Sequence, residues 1–201
     1  IDSLHRLRNL ELNTRYLLRH LHTHILIGEE GPPYLLTGSG IFATHGVEVV
    51  HLPASYPDLF WRTRATNQLV ALSSTPYAAS LDADVLFHPW QYAEAYRLLK
   101  ADMADAVYPF AKPTKRISRR LHLDLSRTYD LAPLRRLPDS NDDVATGGCL
   151  LFDVAQFRRY GSENERIIGW GPEDNERDVR LRHLGARLRR VAGPLFHLEH
   201  R

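Results

Sequence analysis

The sequence holds a single cysteine in 201 residues, and that scarcity excludes an internal disulfide framework. Cys149 sits in the apolar run Cys149-Leu150-Leu151-Phe152, which reads as a buried, inert thiol. A reducing cytoplasm is the expected setting, with peripheral membrane association left open. Lysine is almost as rare. It stands only at Lys100, Lys112 and Lys115, so the basic residues are nearly all arginine, whose forked guanidinium suits phosphate and carboxylate. No apolar run is long enough to span a bilayer, and no signal peptide, internal repeat or low-complexity tract is visible. The net charge of +2 is small and no basic stripe dominates, so no nucleic-acid partner is expected. What is present, 43% hydrophobic and 25% charged residues, suits one soluble domain with a full core. The chain begins at Ile1 rather than Met, as a fragment without its targeting or anchoring segment would.

Strand and helix patterns alternate along the chain. Asp2-Ser3 offers N-caps to a helix running to about His20, with Leu4, Leu7, Leu10 and Leu17 near helical spacing. Strands are predicted over 24–28, 47–52, 77–81, 106–109, 148–152 and about 187–191, and helices over 60–73, 90–101, 155–159 and 172–183. Pro172 near the first turn and Gly185 beyond the last punctuate the final helix. This order predicts an α/β domain with a largely parallel sheet. Residues 111–144 stand apart. They are rich in Arg, Asp, Pro and Ser with little periodicity, and read as a long, irregular, partly helical surface excursion.

Four groups of residues carry chemistry. Asp82-Ala83-Asp84 follows an apolar run, where α/β sheets collect ligands, and two carboxylates on such a turn suit a hard cation bridging a diphosphate. The ordinary alternative is a solvated turn capping the next element. His197 and His200 leave the last predicted strand three residues apart. With carboxylates they suit Mn²⁺ or Zn²⁺ better than Mg²⁺. Gly169-Trp170-Gly171-Pro172 is a loop with freedom to move and an indole face for a sugar ring. It leads into Glu173-Asp174, acids that would equally stabilise a helix N-terminus. Arg62 and Arg64 sit two apart and do not share a helical face, so one can reach a phosphate while the other meets solvent. Lys115 to Arg120 is a charge run, read as a solvated face or a contact for an acidic acceptor.

Assembled in order, Phe60-x-Arg62 with Asn67, Asp82-x-Asp84, Gly147-Gly148, Gly169-Trp170-Gly171-x-Glu173-Asp174 and His197-x-x-His200 resemble the galactosyltransferase-like group of GT-A glycosyltransferases. This group includes the β-1,4-galactosyltransferases and the C-terminal transferase domains of bacterial polysaccharide polymerases. The resemblance spans roughly Asp2 to His200. It implies a GT-A nucleotide-diphospho-sugar transferase domain with these roles. Asp84, His200 and His197 would ligate Mn²⁺ or another divalent cation. Asp82 would contact the ribose or the metal's water shell, and Arg62 the nucleotide or its diphosphate. Trp170 would contact the donor or acceptor sugar, Asn67, Gly148 and Gly171 would belong to the substrate-binding set, and Glu29 would touch the uracil. Asp174 would be the general base, with Glu173 holding sugar hydroxyls. A strand and loop precede the first helix in this fold, so the first strand is expected either outside this sequence or very short.

The function implied is inverting, metal-dependent transfer of a hexose or N-acetylhexosamine from a UDP-sugar to a saccharide or glycolipid hydroxyl, as in polysaccharide biosynthesis. Two alternatives stay open at this point: a metal-dependent hydrolase, and a non-catalytic nucleotide- or polysaccharide-binding domain.

Overall fold

The structure is a computed structural model describing residues 4–31, 36, 43–54, 59–140, 144–169 and 171–200. Asp2-Ser3 and Trp170 lie outside the described residues.

Helix α1 (Leu4–His20) leads into strand β1 (Ile25–Glu30), which pairs in parallel with β2 (Val47–Leu52). Helix α2 (Arg62–Leu72) follows, then β3 (Tyr77–Leu81), the two-residue β4 (Val85–Leu86), α3 (Pro89–Lys100) and β5 (Ala106–Tyr108). Next come β6 (Thr114–Ile117), α4 (Arg119–Thr128) and a 3₁₀ turn (Ala132–Arg136). The chain ends with β7 (Cys149–Asp153), α5 (Val154–Arg159), α6 (Glu173–His183), β8 (Leu188–Arg190) and β9 (Leu195–Leu198).

The predicted elements match, with two corrections. The central sheet has the order β3-β7-β5-β8 and is mixed rather than largely parallel. Strand β7 runs antiparallel to both β3 and β5, and only β5 and β8 are parallel. The reason is the connection before β7. A parallel neighbour needs a crossover packed on the sheet face. Residues 111–140 instead pack elsewhere, and the chain re-enters the sheet from the end where β3 leaves it.

The second correction concerns that segment, which is not irregular. Strand β6 pairs in parallel with β9, and β4 pairs antiparallel with β9 on its other side, forming a three-stranded sheet. Over it, Ile117, Leu125, Leu131 and Leu134 close a core with Leu12 and Tyr16 of α1 and Phe196 and Leu198 of β9. The main core lies around the central sheet, where Phe87, Tyr108, Phe110, Cys149, Leu150, Phe152 and Phe157 meet Leu181 of α6. Cys149 is a free buried thiol, and burial pushes its pKa up, as an inert thiol requires.

Candidate active site

The antiparallel pairing of β3 with β7 builds the floor of the site. Leu81 lies opposite Cys149, and one step further the Asp82 amide donates to the Gly148 carbonyl at 2.9 Å. The glycine pair therefore faces the aspartate turn although 65 residues of chain separate them. Gly148 has φ +95°, which favours glycine, and a Cβ there would come within 2.8 Å of Leu195 Cδ1. The turn itself is clamped by Asn13 of α1, whose Nδ2 donates to the carbonyls of Asp82 (3.1 Å) and Val85 (3.0 Å).

Strand β4 then delivers Asp84 to the histidines. Val85 lies opposite His197 in the β4–β9 ladder, and the Leu198 amide donates to the Asp84 carbonyl at 2.8 Å. The Asp84 carboxylate comes to 3.9 Å from His197 Nε2 and 3.6 Å from His200 Nε2. One ligand atom from each of the three residues lies within 4.8 Å of the others. Burial lowers the pKa of His197 against the opposing pull of Asp84 and so favours the neutral imidazole, the form that ligates a metal. A carboxylate and two imidazoles, half-buried and converging, fit a divalent transition metal such as Mn²⁺.

Beside this trio lies a network of carboxylates and guanidinium groups. Arg62, the first residue of α2, is bonded through Nη2 to Asp82, and through Nη1 to Glu173 (3.1 Å) and Asp174 (3.5 Å). Burial opposes its charge, but Asp82, Asp174 and Glu173 together raise its pKa. Burial pushes the Asp82 carboxyl up to about 6. Arg62 opposes that shift, and Asp174 and Asp84 reinforce it. Glu173 and Asp174 occupy the first turn of α6, where the helix dipole favours them. Glu173 is buried and accepts from the Gly171 amide at 2.7 Å. Asp174 Oδ1 accepts from Arg177 Nη2 at 2.7 Å, and Oδ2 faces the bare Cα of Gly147, where a Cβ would overlap it.

Beneath the network, Arg177 Nη1 donates to Glu163 Oε1 at 2.7 Å, with both side chains 3% exposed. Glu163 is fixed in turn by Asn67, whose Oδ1 accepts from the Glu163 amide (2.9 Å) and whose Nδ2 donates to the Glu163 carbonyl (3.1 Å).

Asp82, Asp84, Glu173, Asp174, Arg62, Gly148, His197 and His200 are thus brought to one place. Gly171 lies at its rim, exposed, with φ +151°. Asn67 is a staple for the loop around Glu163. Glu29, near the end of β1, accepts from the Leu36 amide at 2.8 Å and lies 3.8 Å from His51 Nδ1. Arg64 stacks over Trp61 at 5.2 Å, away from Arg62 and its carboxylates.

Sequence reasoning missed Asn13, Glu163 and Arg177. A signal existed for the first. Asn9 and Asn13 are four apart on the same stripe as Leu10 and Leu17, and both are buried, Asn9 donating to the Glu199 carbonyl at 3.3 Å. Arg177 and Glu163 gave none, since a helical Arg and a loop Glu usually lie on the surface.

An α/β frame with an Asp-x-Asp turn, paired histidines and a carboxylate at a helix start is the GT-A glycosyltransferase fold, and the solved structures agree. The chain is similar to a Drosophila β-1,4-galactosyltransferase 7 mutant complexed with manganese, UDP-Gal and xylobiose. The TM-score is 0.59 at 18% identity, covering 100% of this chain and 68% of that one. The catalytic domain of the same Drosophila enzyme with xylobiose gives 0.53 at 18% identity, covering 90% and 72%. GalNAc-T7 with UDP, GalNAc and Mn²⁺ gives 0.62 at 11% identity, covering 93% and 40%.

Within that fold, residues 138–201 match the family described as the N-terminal domain of galactosyltransferase, so the resemblance to the galactosyltransferase-like group holds. No curated protein matches the chain.

Proposed function

We propose that this protein is a metal-dependent glycosyltransferase that moves a hexose or N-acetylhexosamine from a UDP-sugar to a saccharide or glycolipid hydroxyl with inversion. The observation that carries the reading is the juxtaposition of two differently built carboxylate groups. Asp84 sits with two imidazoles at 3.6 and 3.9 Å, and Asp174 is held by guanidinium groups at 2.7 and 3.5 Å. One is a cation site and the other a positioned base. The structures of similar fold that hold manganese with UDP-Gal or UDP support the same donor class.

Asp84, His197 and His200 would hold the cation, which when bound neutralises charge on the donor diphosphate. Arg62, in this reading, adds a second positive charge on that side and stabilises the phosphate oxygen as it leaves. Asp174 removes the proton from the acceptor hydroxyl through Oδ2, the oxygen facing Gly147. The acceptor oxygen then bonds to the anomeric carbon as the bond to the diphosphate oxygen breaks on the opposite face. The transition state has oxocarbenium character, as in glycoside hydrolysis. Glu173, fixed by the Gly171 amide and Arg62, is placed to orient sugar hydroxyls. The loop carrying Gly169 and Gly171 would close over the sugars and exclude water, so that transfer outpaces hydrolysis.

The test is calorimetric UDP binding with Mn²⁺ and then with EDTA, followed by transfer assays across UDP-sugars. Asp174→Asn should bind UDP with parental affinity and lose at least about a hundredfold in transfer. Normal transfer by that variant would remove Asp174 from the role of base. Absence of UDP binding in both conditions would remove the transferase reading.

A further inference from the structure

Charge is distributed unevenly along this chain. Helix α1 and residues 111–140, which pack on one another around Leu12, Tyr16, Leu125 and Leu131, carry twelve basic and four acidic residues. The other residues carry fourteen basic and twenty acidic. A net charge of +2 therefore conceals two packed segments near +8 and a remainder near −6.

The outer surface of α4 concentrates the pattern. At about 100° per residue, Arg119, Leu123, Arg127 and Arg120 fall within one arc, with Asp124 at its edge and Leu121 and Leu125 turned to the core. All four residues of the arc are exposed, and Leu123 is 62% exposed. Arg119, Arg120 and Arg127 have no carboxylate partner among the described residues. On α1, Glu11 is already taken by Arg15 at 2.8 Å. Along β6, exposed Arg116 lies opposite His197, one of the candidate metal ligands.

We infer that this face docks the protein onto an anionic lipid bilayer, with α4 lying in the interface. Two properties select a bilayer over a soluble polyanion. The arginines supply attraction to acidic headgroups, each contributing about fivefold in affinity near such a surface. Leu123 stands among them with most of its apolar surface in water. A polyanion offers it nothing, whereas the boundary between headgroups and acyl chains takes both the leucine and its basic surround. The arginine stems can lie along that boundary while their guanidinium groups stay with the phosphates. The inference is independent of the transferase reading.

The experiment is co-sedimentation of the whole chain with vesicles of phosphatidylcholine alone and with about one third phosphatidylserine, at low and physiological salt. Binding should need phosphatidylserine and weaken as salt rises. The triple substitution Arg119→Gln, Arg120→Gln, Arg127→Gln should reduce it roughly a hundredfold. Leu123→Gln, which removes the apolar side chain without adding charge, should also reduce it, while far-ultraviolet circular dichroism stays parental because the side chain is already exposed. Absent or equal binding to the two vesicle types would overturn the proposal. Parental binding by Leu123→Gln would overturn it too, marking the face as a site for soluble polyanions. UDP titration of the same variants tells this outcome apart from a failure of the transferase reading.

Discussion

Replacing Arg177 by methionine tests the buried heart of the site. The guanidinium serves two carboxylates at 2.7 Å, Glu163 and Asp174, at 3% side-chain exposure. Burial opposes the Arg177 charge, but Glu163 and then Asp174 more than offset this and raise its pKa. Methionine keeps the volume and removes the charge. Glu163 is then left buried without its cation, and its Oε2 already lacks a hydrogen-bond partner among the described residues. Breaking a buried pair from one side typically destabilises by about 3–5 kcal/mol. For a chain of this size, 1 kcal/mol shifts Tm by about 2–4 °C, so a fall of roughly 6–20 °C is expected. Urea denaturation followed by circular dichroism gives the free energy directly. The double variant Arg177→Met, Glu163→Gln should be more stable than Arg177→Met alone, because no carboxylate remains stranded, with a coupling of roughly 1–3 kcal/mol. A single variant within about 1 kcal/mol of the parent, or strict additivity in the double, would refute the reasoning.

Two further expectations follow from the same geometry. Gly147→Ala places a methyl on Asp174 Oδ2, 3.2 Å from Cγ, and should lower kcat by about a hundredfold while leaving UDP binding parental; retention of more than half the activity would show that Asp174 has room to move. Asp82 has its folded pKa raised to about 6 from an ordinary 3.8, so its proton-linked stability is complete below about pH 4 and is lost as pH rises through 6. Relative to Asp82→Asn, the parent without metal should therefore lose on the order of 1 kcal/mol across that window, allowing for screening at a carboxylate one-third exposed. A pH-independent difference between the two proteins would contradict this.

The long, periodic elements were legible in the sequence because each sets its own pattern. The leucines of α1, the β-branched run of β2 and the proline-to-glycine span of α6 are local signals. The candidate site was legible for a related reason: Asp82, Asp84, Asp174 and His200 lie where elements begin or end, and such residues, like His197 close by, betray themselves by type. The rest depends on pairing that no local pattern records. Strand β4 is two residues long, too short for any period. Strand β9 was read only as an exit from the strand before it, although Gly193-Pro194 separates the two. Segment 111–140 hid its order because each element in it buries only one or two apolar side chains, and these find their partners on α1 and β9. Asn13 and Arg177 act through bonds reaching 69 residues along the chain in one case and 14 in the other. Only the folded arrangement shows those.

Strand β9 has β6 on one side and β4 on the other, and it carries His197 in the middle. A ligand of the candidate cation site is therefore also a rung shared by two ladders. Thermodynamic reciprocity then ties cation affinity to the folding of residues 111–140. Any change that loosens β6 or α4 should weaken the cation by the same factor by which the cation tightens them. If a cation binds there, its availability would set how long residues 111–140 stay assembled, and contact of that segment with a partner would be felt as a change in the site's cation affinity.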